Sequence, residues 1–259
     1  MKIAYIGIDA LYPALPALEE AGWEIREVIT CETDNVTEFN LQVQGFAQRR
    51  GIPLPIGRIT SADLKQLKAQ GCQAVVCGGY YYRLPVDGEL PMVNIHPSLL
   101  PVGRGGWPMP SVILRGLTET GVTVHKITPE FDQGDILLQT VVPVSPGENL
   151  QTLTAKMQAL LPGMMAELAG GFQRLYDSAV PQGEGEYWPC PREEDYPITP
   201  DTPFEEAERV LRAFYGYECV YQRGGKRYGL INAAACPGGQ GRFPIRDGTV
   251  QAEKVRELP

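Results

Sequence analysis

The chain has 259 residues, 43% apolar and 21% charged, with a formal net charge of −8. That length buries a sizeable core, as one large domain or a large and a small one, and that composition fits an ordinary soluble globular protein. Basic residues form only the isolated pairs Arg49-Arg50 and Lys226-Arg227, which disfavours a nucleic-acid surface, although an acidic protein can still bind RNA through a local patch. In chain order, residues 2–8 read as a buried strand. Residues 11–22 read as a helix, with Leu11, Leu15 and Leu18 at helical spacing and Gly22 past its end. A strand follows at 23–30, then helices at 41–51 and 61–71, the last capped by Thr60 or Ser61. Ala74-Val75-Val76-Cys77 and residues 92–95 read as apolar strands. Strand and helix alternating in this way predict an α/β fold, a Rossmann-like and mostly parallel sheet with helices on both faces.

Further along, 108–116 reads as a helix, and 122–127 and 136–144 as paired strands around an acidic loop. A long helix is expected from Glu148 to about Tyr176, kinked or split at Pro162. Pro181, Pro189, Pro191, Pro197 and Pro200 among Gly and Glu mark a linker. Beyond it come a short helix at 203–214 and two hairpins, one turning at Gly224-Gly225 and the other at Asp247-Gly248. The expected organisation is a catalytic domain at 1–178, a linker at 179–201, and a small, mostly β C-terminal domain at 202–259, with an OB-like fold as one candidate for it.

No apolar run reaches membrane-spanning length. The N-terminus lacks the apolar core and cleavage site of a signal peptide, so a cytoplasmic protein is expected. Cys31, Cys72, Cys77, Cys190, Cys219 and Cys236 form no Cys-x-x-Cys and no metal-like spacing with the two histidines. They read as reduced thiols, and no metal is expected.

The most informative stretch starts at Asn94-Ile95-His96-Pro97-Ser98-Leu99-Leu100-Pro101 and ends at Asp132-Gln133-Gly134-Asp135. If Met92-Val93 begins a strand, period two puts Asn94 and His96 on one side of it. An amide that holds a developing oxyanion, an imidazole that moves a proton and a carboxylate that sets the imidazole's charge suffice for acyl transfer to an amine. His125, two residues after Thr123, reads as a structural histidine in preference to support for Asp132. Ser98 reads as a loop residue, because the Gly-x-Ser-x-Gly elbow of a serine nucleophile is absent.

The run Asn94 to Pro101, with Thr120-Gly121-Val122-Thr123 and Asp132-Gln133-Gly134-Asp135 following in order, resembles the formyltransferases that use 10-formyltetrahydrofolate. The resemblance extends from the first strand to about residue 175. It implies 10-formyltetrahydrofolate as formyl donor, with Asn94 and a protonated His96 stabilising the tetrahedral oxyanion and Asp132 holding His96 cationic. It also implies that Tyr82, Arg83 and Leu84 line a pterin pocket, closed on its other side by Phe131, Gln133 and Gly134. Small residues at Gly78-Gly79 leave room for a flat ring, just outside a strand's carboxyl end. The resemblance further implies that Arg104 borders the acceptor, with Trp107 beside it where the methionyl-tRNA enzyme usually has a small residue.

Three branches of that family differ in acceptor. The glycinamide ribonucleotide branch has a glycine-rich phosphate loop after the first strand, where this chain has Asp9, which would repel a phosphate. The methionyl-tRNA branch has a basic insertion after the second strand, where this chain has a short acidic stretch at 31–38. Elimination leaves a small amine, an amino sugar nucleotide or an amino acid, with folate and that amine as partners and a homodimer as one candidate assembly. The alternatives are methionyl-tRNA formyltransferase and a formyltetrahydrofolate hydrolase, whose usual N-terminal regulatory domain has no counterpart before the sheet begins at Lys2. A non-catalytic binding domain is opposed by the intact triad.

Overall fold

The computed structural model describes residues 1–239 and 241–259. In chain order the elements are β1 (Lys2–Gly7), α1 (Ala14–Glu20), β2 (Glu24–Ile29), α2 (Leu41–Arg50), α3 (Ser61–Ala69), β3 (Ala74–Gly78), β4 (Met92–His96), β5 (Val102–Arg104) and α4 (Pro108–Leu114). They continue as β6 (Glu119–Lys126), β7 (Ile136–Pro143), α5 (Leu150–Asp177), β8 (Glu186–Tyr187), α6 (Phe204–Ala213), β9 (Glu218–Arg223), β10 (Lys226–Pro237), β11 (Phe243–Ile245) and β12 (Gly248–Leu258). Two compact units result, and each is assembled from separated stretches where the sequence reading expects consecutive segments. The first takes Met1–Gly106, Gly121–Val142 and Ala155–Tyr187, and the second Trp107–Thr120, Pro143–Thr154 and Trp188–Pro259.

The first unit is built on a six-stranded sheet in the order β2-β1-β3-β4-β6-β7. β1 pairs parallel with β2 and β3, and β3 parallel with β4, while β6 runs antiparallel to β4. The interior strand β3 is buried at every residue, which is why it reads as an unbroken apolar run. Ile6, Val75, Cys77, Leu84, Leu90 and Met92 pack into one core cluster beside it. Local signals fix the helix ends. Thr60 and Asp63 form a capping box, with Thr60 N–H donating to Asp63 Oδ2 at 2.7 Å. α2 ends on left-handed Gly51 (φ 64°), and its first free N–H groups are taken by a distant side chain, since Gln42 and Val43 donate to the Asp9 carboxylate at 2.9 and 3.0 Å.

The expected kink at Pro162 is not where α5 departs from helical geometry. That departure is at Gly171 (φ −147°, ψ 24°). Proline's fixed φ suits a helix and costs it one hydrogen bond, whereas glycine, without Cβ, tolerates a wholly non-helical residue. The stretch read as linker contains β8, which pairs with β5. Strands of two and three residues are too short to show a period.

In the second unit β9 to β12 form a four-stranded sheet in the order β11-β12-β10-β9, with each neighbouring pair antiparallel. An OB barrel has five strands. α6 packs on this sheet through Ala207, Val210 and Leu211, and Trp107 lies 4.8 Å from Tyr217 and 6.0 Å from Phe214 between ring centroids.

Candidate functional site

β4 ends with Asn94 and His96 side by side in period, and its antiparallel neighbour β6 places His125 opposite Asn94 and Thr123 opposite His96. The pairing therefore brings a second imidazole to the amide. His125 Nδ1 lies 2.8 Å from the Lys126 carbonyl oxygen, which only accepts, so Nδ1 carries the proton. In the neutral ring, Nε2 is then the acceptor for Asn94 Nδ2 at 3.2 Å. Asn94's second amide hydrogen has no protein partner among the described residues.

Asp132 arrives from the loop between β6 and β7 with its backbone in the left-handed region (φ 52°). Its Oδ2 accepts the Gly105 N–H at 3.0 Å and lies 3.7 Å from His96 Nδ1, and its Oδ1 lies 3.5 Å from His125 Nε2. Asn94, His96 and Asp132 thus gather around His125, a residue the sequence reading assigned to structure. Its position opposite Asn94 follows from the β4–β6 register, which needs a tertiary pairing to reveal it.

His96 is 4% exposed and Asp132 8% exposed. His96 Nε2 sits 2.8 Å from the Gly103 carbonyl, so Nε2 carries the proton, and in the neutral ring Nδ1 presents its lone pair to the carboxylate. Burial pushes the His96 pKa down, and the Asp132 charge and the Gly103 hydrogen bond only partly oppose it. The resting imidazole is therefore neutral. This differs from the expectation of a cationic His96, because loss of hydration opposes the neighbouring carboxylate. Burial pushes Asp132 upward, but its close contact with His125, the positive charge that His96 and His125 can carry and the Gly105 N–H hold it below the usual carboxylate range. Nearby Cys77, paired in register with Asn94, is pushed up to about 12 by burial and then by the Asp132 charge, so it stays a thiol.

The loop below is fastened by polar groups. Ser98 Oγ donates to the Val102 carbonyl at 2.8 Å, Thr123 Oγ1 to the Ser98 carbonyl at 2.6 Å, and Gln139 Nε2 to the Leu100 carbonyl at 2.8 Å. Ser98 is 1% exposed and spent on these bonds, as a loop residue would be. Arg104 is 8% exposed, and its Nε and Nη2 donate to Gln182 Oε1 at 3.1 and 3.0 Å, with Nη2 also reaching the Gly183 carbonyl at 3.0 Å.

The residues assigned to a pterin pocket divide by exposure. Tyr82, Arg83, Phe131 and Gln133 are exposed, while Leu84 belongs to the core cluster. Gly134 is buried, and a Cβ there would collide with the Lys126 carbonyl. Tyr80, beside Tyr82 at 5.4 Å between ring centroids, is held by the Gly57 carbonyl and by the Ile59 N–H at 3.1 Å. At Gly78 the room expected for a flat ring is filled by the Tyr5 hydroxyl. Trp107 belongs to the second unit and its aromatic cluster. That unit also holds a cavity of about 150 Å³ lined by Ser111, Arg115, Trp188 and Tyr196, and none of the candidate catalytic, donor-side or acceptor-side residues lines it. Among the described residues no group of three or more His, Cys, Asp or Glu is arranged to hold a metal ion, and no helix is long and apolar enough to cross a membrane.

Comparison with known proteins matches residues 58–167 to the formyl transferase family model. A methionyl-tRNA formyltransferase of Coprothermobacter proteolyticus is 31% identical over 229 residues, covering 82% of this chain and 73% of that protein. One of Ehrlichia ruminantium (strain Welgevonden) is 34% identical over 142 residues, 55% of this chain and 46% of that protein. The chain spans about half the length of the first curated relatives it matches, 46% to 55%. Among solved structures, WlaRD, a sugar 3N-formyl transferase solved with dTDP and 5-N-formyl-THF, superimposes with a TM-score of 0.69 at 16% identity, covering 100% of this chain and 98% of that one.

Proposed function

Because the chain belongs to the formyl transferase family, we propose that it transfers a formyl group from 10-formyltetrahydrofolate to the primary amine of a small acceptor, an amino sugar nucleotide or an amino acid. The observation that carries this reading is the gathering of Asn94, His96 and Asp132 around His125. The acceptor nitrogen attacks the formyl carbon, and the uncommitted amide hydrogen of Asn94 stabilises the oxygen that becomes negative. His96 rests neutral with Nδ1 bare, so it takes the proton from the attacking amine, and Asp132 stabilises the imidazolium. The bond from the formyl carbon to N10 then breaks, and N10 leaves with that proton. On this reading Tyr82, Arg83, Leu84, Phe131, Gln133 and Gly134 line the donor side, and Arg104 and Trp107 border the acceptor.

Two features weigh against the other two branches of the family. Asp9 fills the N-terminus of α2, where an anion would otherwise sit. In the acidic stretch the Val36, Thr37 and Glu38 N–H groups all donate to Asp34 Oδ1, so that turn carries its own negative charge. A second reading, transfer to methionyl-tRNA, is favoured by the names of the relatives and by residues 217–259, which carry seven basic against four acidic side chains in an otherwise acidic chain. The experiment is to supply the donor alone, then with amino sugar nucleotides and amino acids. Formate release without an amine would point to the hydrolase, and neither transfer nor release would remove the catalytic reading.

A further inference from the structure

We propose that Gln182 is a positioning residue that holds the Asp132 carboxylate in place by tying its loop to Arg104. The inference rests on the formyl-transfer reading for its consequence in turnover, but its geometry stands apart from it. Asp132 occupies left-handed backbone space (φ 52°), which L-residues adopt seldom and which its surroundings hold in place here. Gln182 Nε2 donates to the Asp132 carbonyl at 2.9 Å and to the Gly134 carbonyl at 2.7 Å. Its Oε1 accepts from Arg104 Nε at 3.1 Å and Nη2 at 3.0 Å.

The chemistry sets the direction of the amide. Carbonyl oxygens only accept and a guanidinium only donates, so the nitrogen must face the loop and the oxygen must face Arg104. Both amide hydrogens and both acceptor positions are then used. Among side chains of this length, an amide alone supplies two donors at one end and a double acceptor at the other.

The segment that carries Gln182 is itself stitched down on both sides. Val180 and Ile136 exchange backbone hydrogen bonds at 2.8 and 2.9 Å, and Glu186 N–H donates to the Pro101 carbonyl at 3.2 Å. Gly185 lies so close to Pro101 and Arg104 that a Cβ would collide with both. Gln182 is therefore presented by a fixed strip. Arg104 is turned toward Gln182 and Gly183 through Nε and Nη2, which makes it part of the same brace.

The groups that bear on the carboxylate are His96, His125, Cys77 and the Gly105 N–H, and those that bear on the His96 ring are Asp132, His125 and the Gly103 carbonyl. Loosening the loop moves the carboxylate away from His96 and lets the imidazole hold its proton less tightly. The chain has two histidines, so their titrations can be followed separately by NMR. Gln182→Met keeps the length and removes every hydrogen bond, and Gln182→Glu keeps the acceptor for Arg104 while losing both donors to the loop.

The expected results are a lower titration midpoint for His96 in Gln182→Met, and turnover lowered about ten- to a hundredfold in both variants, as for a small misplacement of a reacting group. An unchanged His96 midpoint in Gln182→Met overturns the proposal, and so does wild-type turnover in Gln182→Glu. If Gln182→Met does not fold, the turnover of Gln182→Glu decides. If the wild-type protein transfers no formyl group to any amine, the transfer reading fails and the His96 titration still decides this one.

Discussion

Asn94 and His125 face each other across β4 and β6, 3.2 Å apart through Nδ2 and Nε2, so the amide assigned to the oxyanion is oriented by a histidine whose other nitrogen is fixed on the Lys126 carbonyl. His125→Ala leaves that amide free to rotate. It is expected to lower turnover by roughly tenfold or more, short of the loss expected when an oxyanion donor itself is removed. Steady-state transfer at saturating donor measures it, and a wild-type rate would assign His125 to packing alone.

His96→Ala and Asp132→Ala remove the proton carrier and the charge that supports it. Each is expected to lower transfer by about a hundredfold or more while folate binding survives. Single-turnover transfer combined with equilibrium dialysis of folate separates the two effects. Near-normal transfer in either variant would refute the assigned role.

Acidity should act through the same pair. The folded pKa of His96 is depressed by burial, so between that value and the ordinary value of about 6.5 the unfolded chain binds the proton and the folded chain does not. Stability from this group is full above about 6.5 and is lost as pH falls from there through the folded pKa. Asp132 is also depressed, so its contribution is full above the ordinary carboxylate value of about 3.9 and is lost as pH falls through its folded pKa. Both losses come on acidification. Transfer by the neutral imidazole should in turn show an acid limb below about 6.5. Rate and urea midpoint measured from pH 8 downward check this, and an acid limb above that value would point to a cationic resting His96.

Asp9→Ala removes the carboxylate that caps α2 through Gln42 and Val43. The expected cost is about 1 kcal/mol, as for loss of a helix cap, read as a lower urea midpoint. An unchanged midpoint would mean that the cap carries no stability.

The sheet and most of the candidate site are legible in sequence because their signals are local. An eight-residue run names Asn94 and His96, the acidic motif names Asp132, and the apolar run at 74–77 names a buried strand. What escaped depends on pairing at a distance. His125 enters the site through the β4–β6 register. Gln182 lies among prolines and glycines whose composition reads as linker, and only the contact of that strip with β5 and the 132–134 loop gives its amide a task. The Pro162 expectation missed because a proline announces a break in sequence while the helix spends its irregularity at Gly171. The resting charge of His96 depends on burial, which a motif does not show, as well as on the neighbouring carboxylate, which it does.

The acceptor is tested by salt. The stretch at 31–38 offers Glu32, Asp34 and Glu38 and no basic residue, and Asp34 Oδ1 already takes the turn's N–H groups. Affinity driven by phosphate contacts requires several Lys or Arg side chains and falls steeply with added salt. The basic excess within 217–259 is the counterweight, and it predicts a different outcome. With a small acceptor, transfer should persist between 50 and 200 mM salt at nearly the same rate, whereas a tRNA held by six to ten phosphate contacts would lose about 10³–10⁵ in affinity over that range. The measurement is formylation of methionyl-tRNA beside formylation of amino sugar nucleotides and amino acids across the salt series. Weak or absent formylation of the tRNA is expected. Efficient, salt-sensitive formylation of it would overturn the small-amine assignment in favour of methionyl-tRNA.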